Sequence, residues 1–296
     1  NWKNKKVLVT GSEGLIGKEL VIQLKELGAI VKENDIKGNK KLLDNPAVDY
    51  TLHTGDLRDR TMCQALCYRV DYVFHLAGIK GSPKMTKERP VDFMGPMLQF
   101  DTNMILVAQE VGIKKFLYTS SIAVENPETD RFPAWAKKTA ETLIEAMRIQ
   151  YPKGTEYCIV RPSNVYGRFD NFNNPNSMVI TSLIAKALRD IESLEIWGDG
   201  SQIRDFINAK DVAKGMIKAM EEMPDKPVNL CSGKHETIDQ VAHAISKETG
   251  KPIKYVPTEG KVLGSNVRVM ERNWDNPVEI KLEDGIKEAI EWQKKK

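Results

Sequence analysis

The 296-residue chain is poor in cysteine and histidine, and it has no excess of either charge. Four cysteines, at 63, 67, 158 and 231, are too few for a disulfide framework at this length. Cys63 and Cys67 lie four apart on an expected helix, but no His or further Cys accompanies them. Buried thiols are therefore expected and a metal site is not. No apolar run approaches the length of a membrane-spanning helix, and the first residues lack the apolar core of a signal peptide. The expectation is a cytoplasmic protein with no membrane partner. Lys and Arg total 44 against 41 Asp and Glu, a formal net charge of +3, so the balance does not call for nucleic acid. Internal repeats are also missing, which excludes solenoids and propellers.

What the chain does have begins at Lys6-Val7-Leu8-Val9-Thr10-Gly11-Ser12-Glu13-Gly14-Leu15-Ile16-Gly17. A β-branched and apolar run, three glycines at G-x-x-G-x-x-G spacing and then Leu20, Leu24 and Leu27 predict strand, tight turn and helix. Gly11 lets the chain leave the strand sharply, Gly14 lets backbone approach an anion, and Gly17 lets the helix pack on the strand. Free N–H groups at the helix start, those of Leu15 and Ile16 included, then face a pyrophosphate. The bland alternative is a turn and nothing more. Position argues against it, because Asp35 ends the next apolar run, where a carboxylate accepts from ribose hydroxyls and repels a 2′-phosphate. NAD is expected over NADP, although Lys37 stands close by and a surface-loop Asp is the alternative.

Further along, the run ending in Thr54 leads to Gly55-Asp56-Leu57, where Asp56 is placed to accept from an adenine amino group and Leu57 to cover the ring. Asp59 reads as a helix cap. The run 71–75 exits through Leu76-Ala77-Gly78, small enough for a cofactor to come near. His75 points into the sheet region and reads as a hydrogen-bonded core residue rather than a catalyst. Helix is expected over 93–111, with Asn103 making a polar contact inward or facing solvent. A strand ends in Thr119-Ser120-Ser121, a helix covers 134–148 with Lys137 near its start, and a sixth strand ends at Arg161. Six strands alternating with helices predict a Rossmann-type doubly wound parallel sheet of the α/β class. Residues 1–166 form the expected NAD-binding domain, which the chain rejoins at about 205–232. Residues 167–204 and 233–296 form a smaller C-terminal α/β substrate lobe, with ligands in the cleft between.

Taken together, the glycine turn, Asp35, Gly55-Asp56-Leu57, His75-Leu76-Ala77-Gly78, Asn103, Thr119-Ser120-Ser121, Arg161-Pro162-Ser163-Asn164-Val165-Tyr166-Gly167 and Arg204-Asp205-Phe206 resemble the extended short-chain dehydrogenase/reductases. Within that nucleotide-sugar epimerase/dehydratase family, Pro90-Val91-Asp92-Phe93, Asp170-Asn171-Phe172-Asn173 with Pro175-Asn176-Ser177, and Ile196-Trp197-Gly198-Asp199-Gly200 look most like GDP-L-fucose synthase and its relatives. The resemblance implies hydride transfer between a sugar carbon and nicotinamide. It places Ser121 on the reacting sugar oxygen and Lys137 on the nicotinamide ribose. Thr119, Pro162 and Val165 join the cofactor site. Asn164 and Arg204 fall on the sugar diphosphate, and Lys186 on the nucleotide, with GDP favoured. The alternatives are a solvated Lys186 and an Arg204 paired with Asp205. A homodimer through the helices 93–111 and 134–148 is also implied.

The family's tyrosine, four residues before the lysine, is missing: Pro133 stands there, preceded by Phe132. The segment between Ser121 and Pro133 is about half the length usual in relatives. A deletion, a displaced base and a stretch of natural chain absent from this sequence are three explanations. Ala123 and Met178 replace the Cys and His of fucose-type 3,5-epimerisation, which leaves oxidation, reduction or 4-epimerisation. Tyr166 is a poor substitute base, since it belongs to the substrate-loop motif. Two readings follow: an NAD-dependent oxidoreductase or epimerase acting on a nucleotide-diphosphate sugar, and an impaired homologue that binds dinucleotide as a sensor or subunit.

Overall fold

A computed structural model describes residues 1–36, 52–79, 83–128, 131–174, 177–189, 191–259 and 266–295. Lys37 and the Pro175-Asn176 pair fall outside these residues. The chain runs β1 (Lys6–Thr10), α1 (Leu15–Glu26), β2 (Ile30–Asp35), β3 (Leu52–Thr54), α2 (Arg60–Cys67), β4 (Tyr72–His75), α3 (Pro83–Glu88), α4 (Val91–Val111), β5 (Lys115–Thr119), α5 (Arg131–Gln150) and β6 (Glu156–Pro162). It continues through β7 (Asn164–Tyr166), α6 (Val179–Ala187), β8 (Leu194–Trp197), β9 (Ile203–Arg204), β10 (Phe206–Asn208), α7 (Ala209–Glu222), β11 (Val228–Leu230), β12 (Glu236–Thr237), α8 (Ile238–Thr249), β13 (Ile253–Val256), β14 (Val267–Arg268) and α9 (Leu282–Lys294).

Seven strands form one parallel sheet in the order β11-β6-β5-β4-β1-β2-β3. The winding reverses between β1 and β4, so a crevice opens there at the strands' carboxyl ends, the usual place for a ligand. Alternation along β1 sends Val7 and Val9 to one face, against Leu20 and Leu24 of α1 and Met216 of α7. Leu8 goes to the other, with Leu66 of α2, Met104 of α4 and Ile144 of α5. Each fully buried aliphatic chain contributes roughly 1.5–3 kcal/mol, so both helical layers are pinned to the sheet that ends in the crevice.

Two boundaries differ from expectation. Helix α5 starts at Arg131 rather than at 134, because Pro133 sits in its first turn, where a missing N–H costs nothing. The 205–208 stretch does not rejoin the main sheet: β10 pairs with β7 in a separate parallel ladder, and only β11 returns to β6. Pro162 ends β6 without an N–H to continue its ladder, and the Ser163 N–H turns to the Leu230 carbonyl at 3.0 Å. A second core, with Ile184 of α6, Leu194 of β8, Ile245 of α8 and Ile286 of α9, holds the C-terminal lobe. All four cysteines are free and buried, as expected.

Candidate functional site

The glycine turn is built as a cradle. Gly11 has φ +66°, and a Cβ there would stand 2.9 Å from the Leu76 carbonyl carbon; one on Gly17 would be 2.2 Å from the Gly11 carbonyl oxygen. Helix α1 begins at Leu15 with no side-chain cap and no acidic residue in its first turn. Its opening N–H groups therefore face the crevice as an anion site. Nearby, the hydroxyls of Ser12 and Thr119 are buried with no hydrogen-bond partner among the described residues. Uncapped amides and orphaned hydroxyls along the sheet's carboxyl edge fit a dinucleotide phosphate and ribose.

Asp35 ends β2 and accepts the Glu13 N–H at 3.1 Å, so its carboxylate is fixed beside the turn. Asp56 is engaged by Arg58, whose Nε lies 3.0 and 2.8 Å from its two oxygens. Those hydrogen bonds hold the Asp56 carboxyl below its ordinary value. Leu57 departs from its expected place over a ring: it is 5% exposed and packs in the core, since Cys63 and Leu66 of α2 cover that side of the sheet. Asn103 faces inward, donating to the carbonyls of Leu57 and Arg58 at 3.0 and 2.9 Å. It shapes the loop that carries Asp56. Asp59 caps α2, as its sequence position suggested.

At the centre, Ser121 caps the short 3-10 helix Ile122–Glu125, accepting from Ala123 N–H at 3.2 Å. Lys137 lies one helical turn after Pro133 and is nearly buried. Its Nζ is 3.4 Å from Asp101 Oδ2 and 4.7 Å from the centre of the Tyr118 ring. Asp101, 1% exposed on α4, also accepts from His75 Nε2 at 2.9 Å and from Tyr118 Oη at 2.7 Å. Burial alone raises a carboxyl, but Lys137, His75 and Tyr118 together hold Asp101 below its ordinary value. His75 is the core histidine expected from sequence, and burial lowers its pKa against the pull of Asp101.

A second buried carboxylate, Glu141 of α5, takes Arg161 Nε at 2.9 Å, Arg161 Nη2 at 2.7 Å and the Ser120 hydroxyl at 2.6 Å. The same guanidinium reaches Glu125 of the Ser121-capped helix at 2.6 Å. Strand β6, helix α5 and the Ser121-capped helix are thus riveted together. Tyr166 is absorbed elsewhere: its hydroxyl lies 3.5 and 3.4 Å from the carbonyls of Lys281 and Leu282, and Gly285 leaves room for it. Burial pushes that phenol well up. It does not serve the place left by Pro133.

Further along the chain, β9 pairs Arg204 with Arg268 of β14 on one side and with Glu236 of β12 on the other. Cross-strand partners share a face, so Arg204 and Arg268 leave the ladder on the same side. Asn164 donates to the carbonyls of Asp205 and Arg268 at 2.8 and 3.4 Å and thereby braces the strands that carry them. The Asp205 carboxylate accepts from Ser163 Oγ, Ser232 N–H and Gly233 N–H, while Arg204 Nη1 donates to the carbonyls of Ile203 and Asn266. Lys186 lies 5.4 Å from the Trp197 ring and lines a cavity of about 420 Å³ with Glu192, Ser193, Glu195 and Lys254.

Pro162 and Val165 flank the bend after β6. Sequence reasoning missed Asp101 and Arg268. A charged residue mid-helix among Phe100, Met104 and Ile105 is a usable signal for the first. The second required strand register. Among the described residues, no cluster of His, Cys, Asp or Glu could hold a metal, and no helix is long and apolar enough to cross a membrane.

Several known proteins resemble this chain over nearly its whole length. dTDP-4-dehydro-6-deoxy-D-allose reductase from a Streptomyces species is 27% identical over 322 residues, spanning 98% of this chain and 97% of its own. A putative GDP-L-fucose synthase 2 from Arabidopsis thaliana is 27% identical, covering 98% and 92%. Among solved structures, the UDP-N-acetylglucosamine 4-epimerase of Methanobrevibacter ruminantium M1, in complex with UDP-N-acetylmuramic acid, superposes with a TM-score of 0.81 at 28% identity over 99% of both chains. The family model for NAD dependent epimerase/dehydratase proteins matches residues 7–231, the stretch that runs from the glycine turn to the last strand of the parallel sheet. With the cradle, Ser121 and Lys137 on that same stretch, the chain belongs to the NAD dependent epimerase/dehydratase family of enzymes.

Proposed function

We propose that this protein transfers a hydride between a carbon of a nucleotide-diphosphate sugar and NAD. The observation that carries the reading is the placement of Ser121 just after the carboxyl end of β5 and of buried Lys137 on α5, both on the stretch that the family model matches; the strand register of Arg204 with Arg268 supports it. Gly14, the N–H groups of Leu15, Ile16 and Gly17, and the Ser12 and Thr119 hydroxyls would hold the dinucleotide. Asp35 favours NAD over NADP by taking the ribose hydroxyls and repelling a phosphate. Bound nicotinamide supplies the hydride acceptor or donor. The chain's own residues do the rest: Ser121 orients the reacting oxygen, Lys137 holds the nearer ribose, and the arginines clamp the diphosphate by charge-assisted hydrogen bonds.

GDP is the favoured nucleotide, on the motifs shared with fucose synthases. UDP and dTDP sugars, the substrates in the names of other relatives, are its competitors. Pro133 offers no proton acceptor, and general acid–base assistance is worth roughly 10² to 10⁴ in rate. Turnover is therefore expected to be slower by that order than in a chain with tyrosine at this place. Exposed Val91 of α4 with Trp135 and Ile149 of α5 suits self-association as a homodimer.

The test is ligand-dependent melting. A nucleoside diphosphate sugar at a hundred times its dissociation constant should add about 2.7 kcal/mol to stability. Arg204→Ala should melt like the parent without ligand and lose most of that gain. If Arg204→Ala is stabilised as fully as the parent, the diphosphate site lies elsewhere.

A further inference from the structure

The polar groups between β1 and α5 form one continuous buried chain. The Leu76 and Ala77 N–H groups both donate to Thr10 Oγ1 at 3.2 Å. Thr10 Oγ1 meets His75 Nδ1 at 2.8 Å, His75 Nε2 meets Asp101 Oδ1 at 2.9 Å, and Asp101 Oδ2 meets Lys137 Nζ at 3.4 Å. One proton assignment satisfies the whole chain. An ionised Asp101 only accepts, so His75 donates from Nε2 and must accept at Nδ1. Thr10 then donates to Nδ1, and its lone pairs are left for the two backbone amides. Every donor in the chain therefore points toward Asp101.

This chain ends on the ammonium whose neighbour one turn earlier is Pro133, a residue with no polar side chain. A buried carboxylate is tolerated only with a countercharge and filled lone pairs. His75 and Tyr118 fill lone pairs, and Lys137 brings the countercharge. We propose that Asp101 is a positioning residue that fixes the Lys137 ammonium toward the cofactor's nicotinamide-side ribose, in the role of anchor that no residue at position 133 can take. The proposal rests on the reading of Lys137 given under Proposed function. The same chain ties that anchor to the Leu76-Ala77 backbone beside the crevice, so both sides of the cofactor's inner half share one scaffold. Lysine has three N–H groups, and one of Lys137's is spent on Asp101 among the described residues. The others remain to meet a ligand.

The experiment is calorimetric titration of NAD, ADP-ribose and ADP into the parent, Asp101→Asn, Lys137→Met and the double variant. ADP lacks the second ribose and reports only an intact cradle. Asp101→Asn should weaken NAD and ADP-ribose by about tenfold, the scale of one charge-assisted hydrogen bond, and leave ADP within about twofold. In the Lys137→Met background it should change nothing further. Equal weakening with and without Lys137, or of ADP along with NAD, would make Asp101 a structural prop and overturn the proposal.

A second measurement needs no Asp101 variant. With isotope-labelled lysine, the Lys137 Nζ resonance, assigned by its loss in Lys137→Met, should exchange slowly before ligand is added. It should then shift with ADP-ribose but not with ADP. A signal averaged with solvent overturns the proposal even if Asp101→Asn does not fold. A parent that binds neither ADP nor NAD refutes the functional reading and this proposal together. A parent that binds NAD while Asp101→Asn binds it equally well refutes this proposal alone.

Discussion

Asp101 and Glu141 are carboxylates of the same burial, on neighbouring helices over one face of the sheet, and they are held in opposite ways. Glu141 faces a guanidinium that grips both its oxygens, and that guanidinium goes on to Glu125. All three of its nitrogens are engaged on protein carboxylates. Asp101 faces an ammonium at a longer 3.4 Å, on a flexible stem beside the crevice. Burial cost is alike in the two, so the difference lies in what the partner has left over. A bidentate arginine makes a rivet, whereas a lysine with spare N–H groups makes a ligand-facing arm. Both clusters lie under the carboxyl edge of the sheet, and on the proposed reading only the second ends in a group that would touch the cofactor.

Glu141→Ala is the largest predicted break in this comparison. It strands Arg161, 15% exposed, without its buried partner, and such losses cost roughly 3–5 kcal/mol. Denaturant unfolding should show that loss, while the NAD affinity of the folded fraction stays near the parent's. A loss in NAD affinity as large as that of Asp101→Asn would erase the distinction between rivet and arm.

The smaller prediction uses pH. His75 is buried with its pKa below the ordinary 6.5, so the unfolded chain binds the extra proton and stability rises with pH across this window. The contribution is full above about pH 6.5 and is lost as pH falls toward the folded value, by at most about 1.4 kcal/mol per pH unit for one proton. Asp101 acts in the same sense lower down, since its contribution is present above its ordinary 3.8 and lost below it. The Glu141 cluster holds no imidazole. His75→Gln should therefore flatten the dependence of melting on pH just below about pH 6.5, and an unchanged slope would place the titration in another group.

Much of this was legible in the sequence, and the reasons differ from region to region. The glycine turn, Asp35 and the strand exits were readable because backbone chemistry at fixed spacing leaves a local signature. The core placement of His75 followed from strand alternation. Leu57 carried a ligand role by its place after a strand end and Asn164 by resemblance; the structure packs the first in the core and sets the second's amide on strand carbonyls. Asp101 was unreadable for its purpose because its partners lie 17 to 36 residues away on other elements. Arg268 depended on a two-residue strand pairing with Arg204, which no periodicity announces.

The central claim is that this edge, with proline in the tyrosine's place, still moves a hydride. Its most direct measurement is a single-turnover mixture of excess protein loaded with NAD and a panel of GDP, UDP and dTDP sugars, followed by the near-ultraviolet absorbance of reduced nicotinamide. The account predicts that absorbance grows with at least one sugar, at a rate well below the enzyme median of about 10 per second, and that Lys137→Met abolishes it. Bound NAD and bound sugar with no reduced nicotinamide, for any sugar in the panel and for NADH run in the reverse direction, would contradict it.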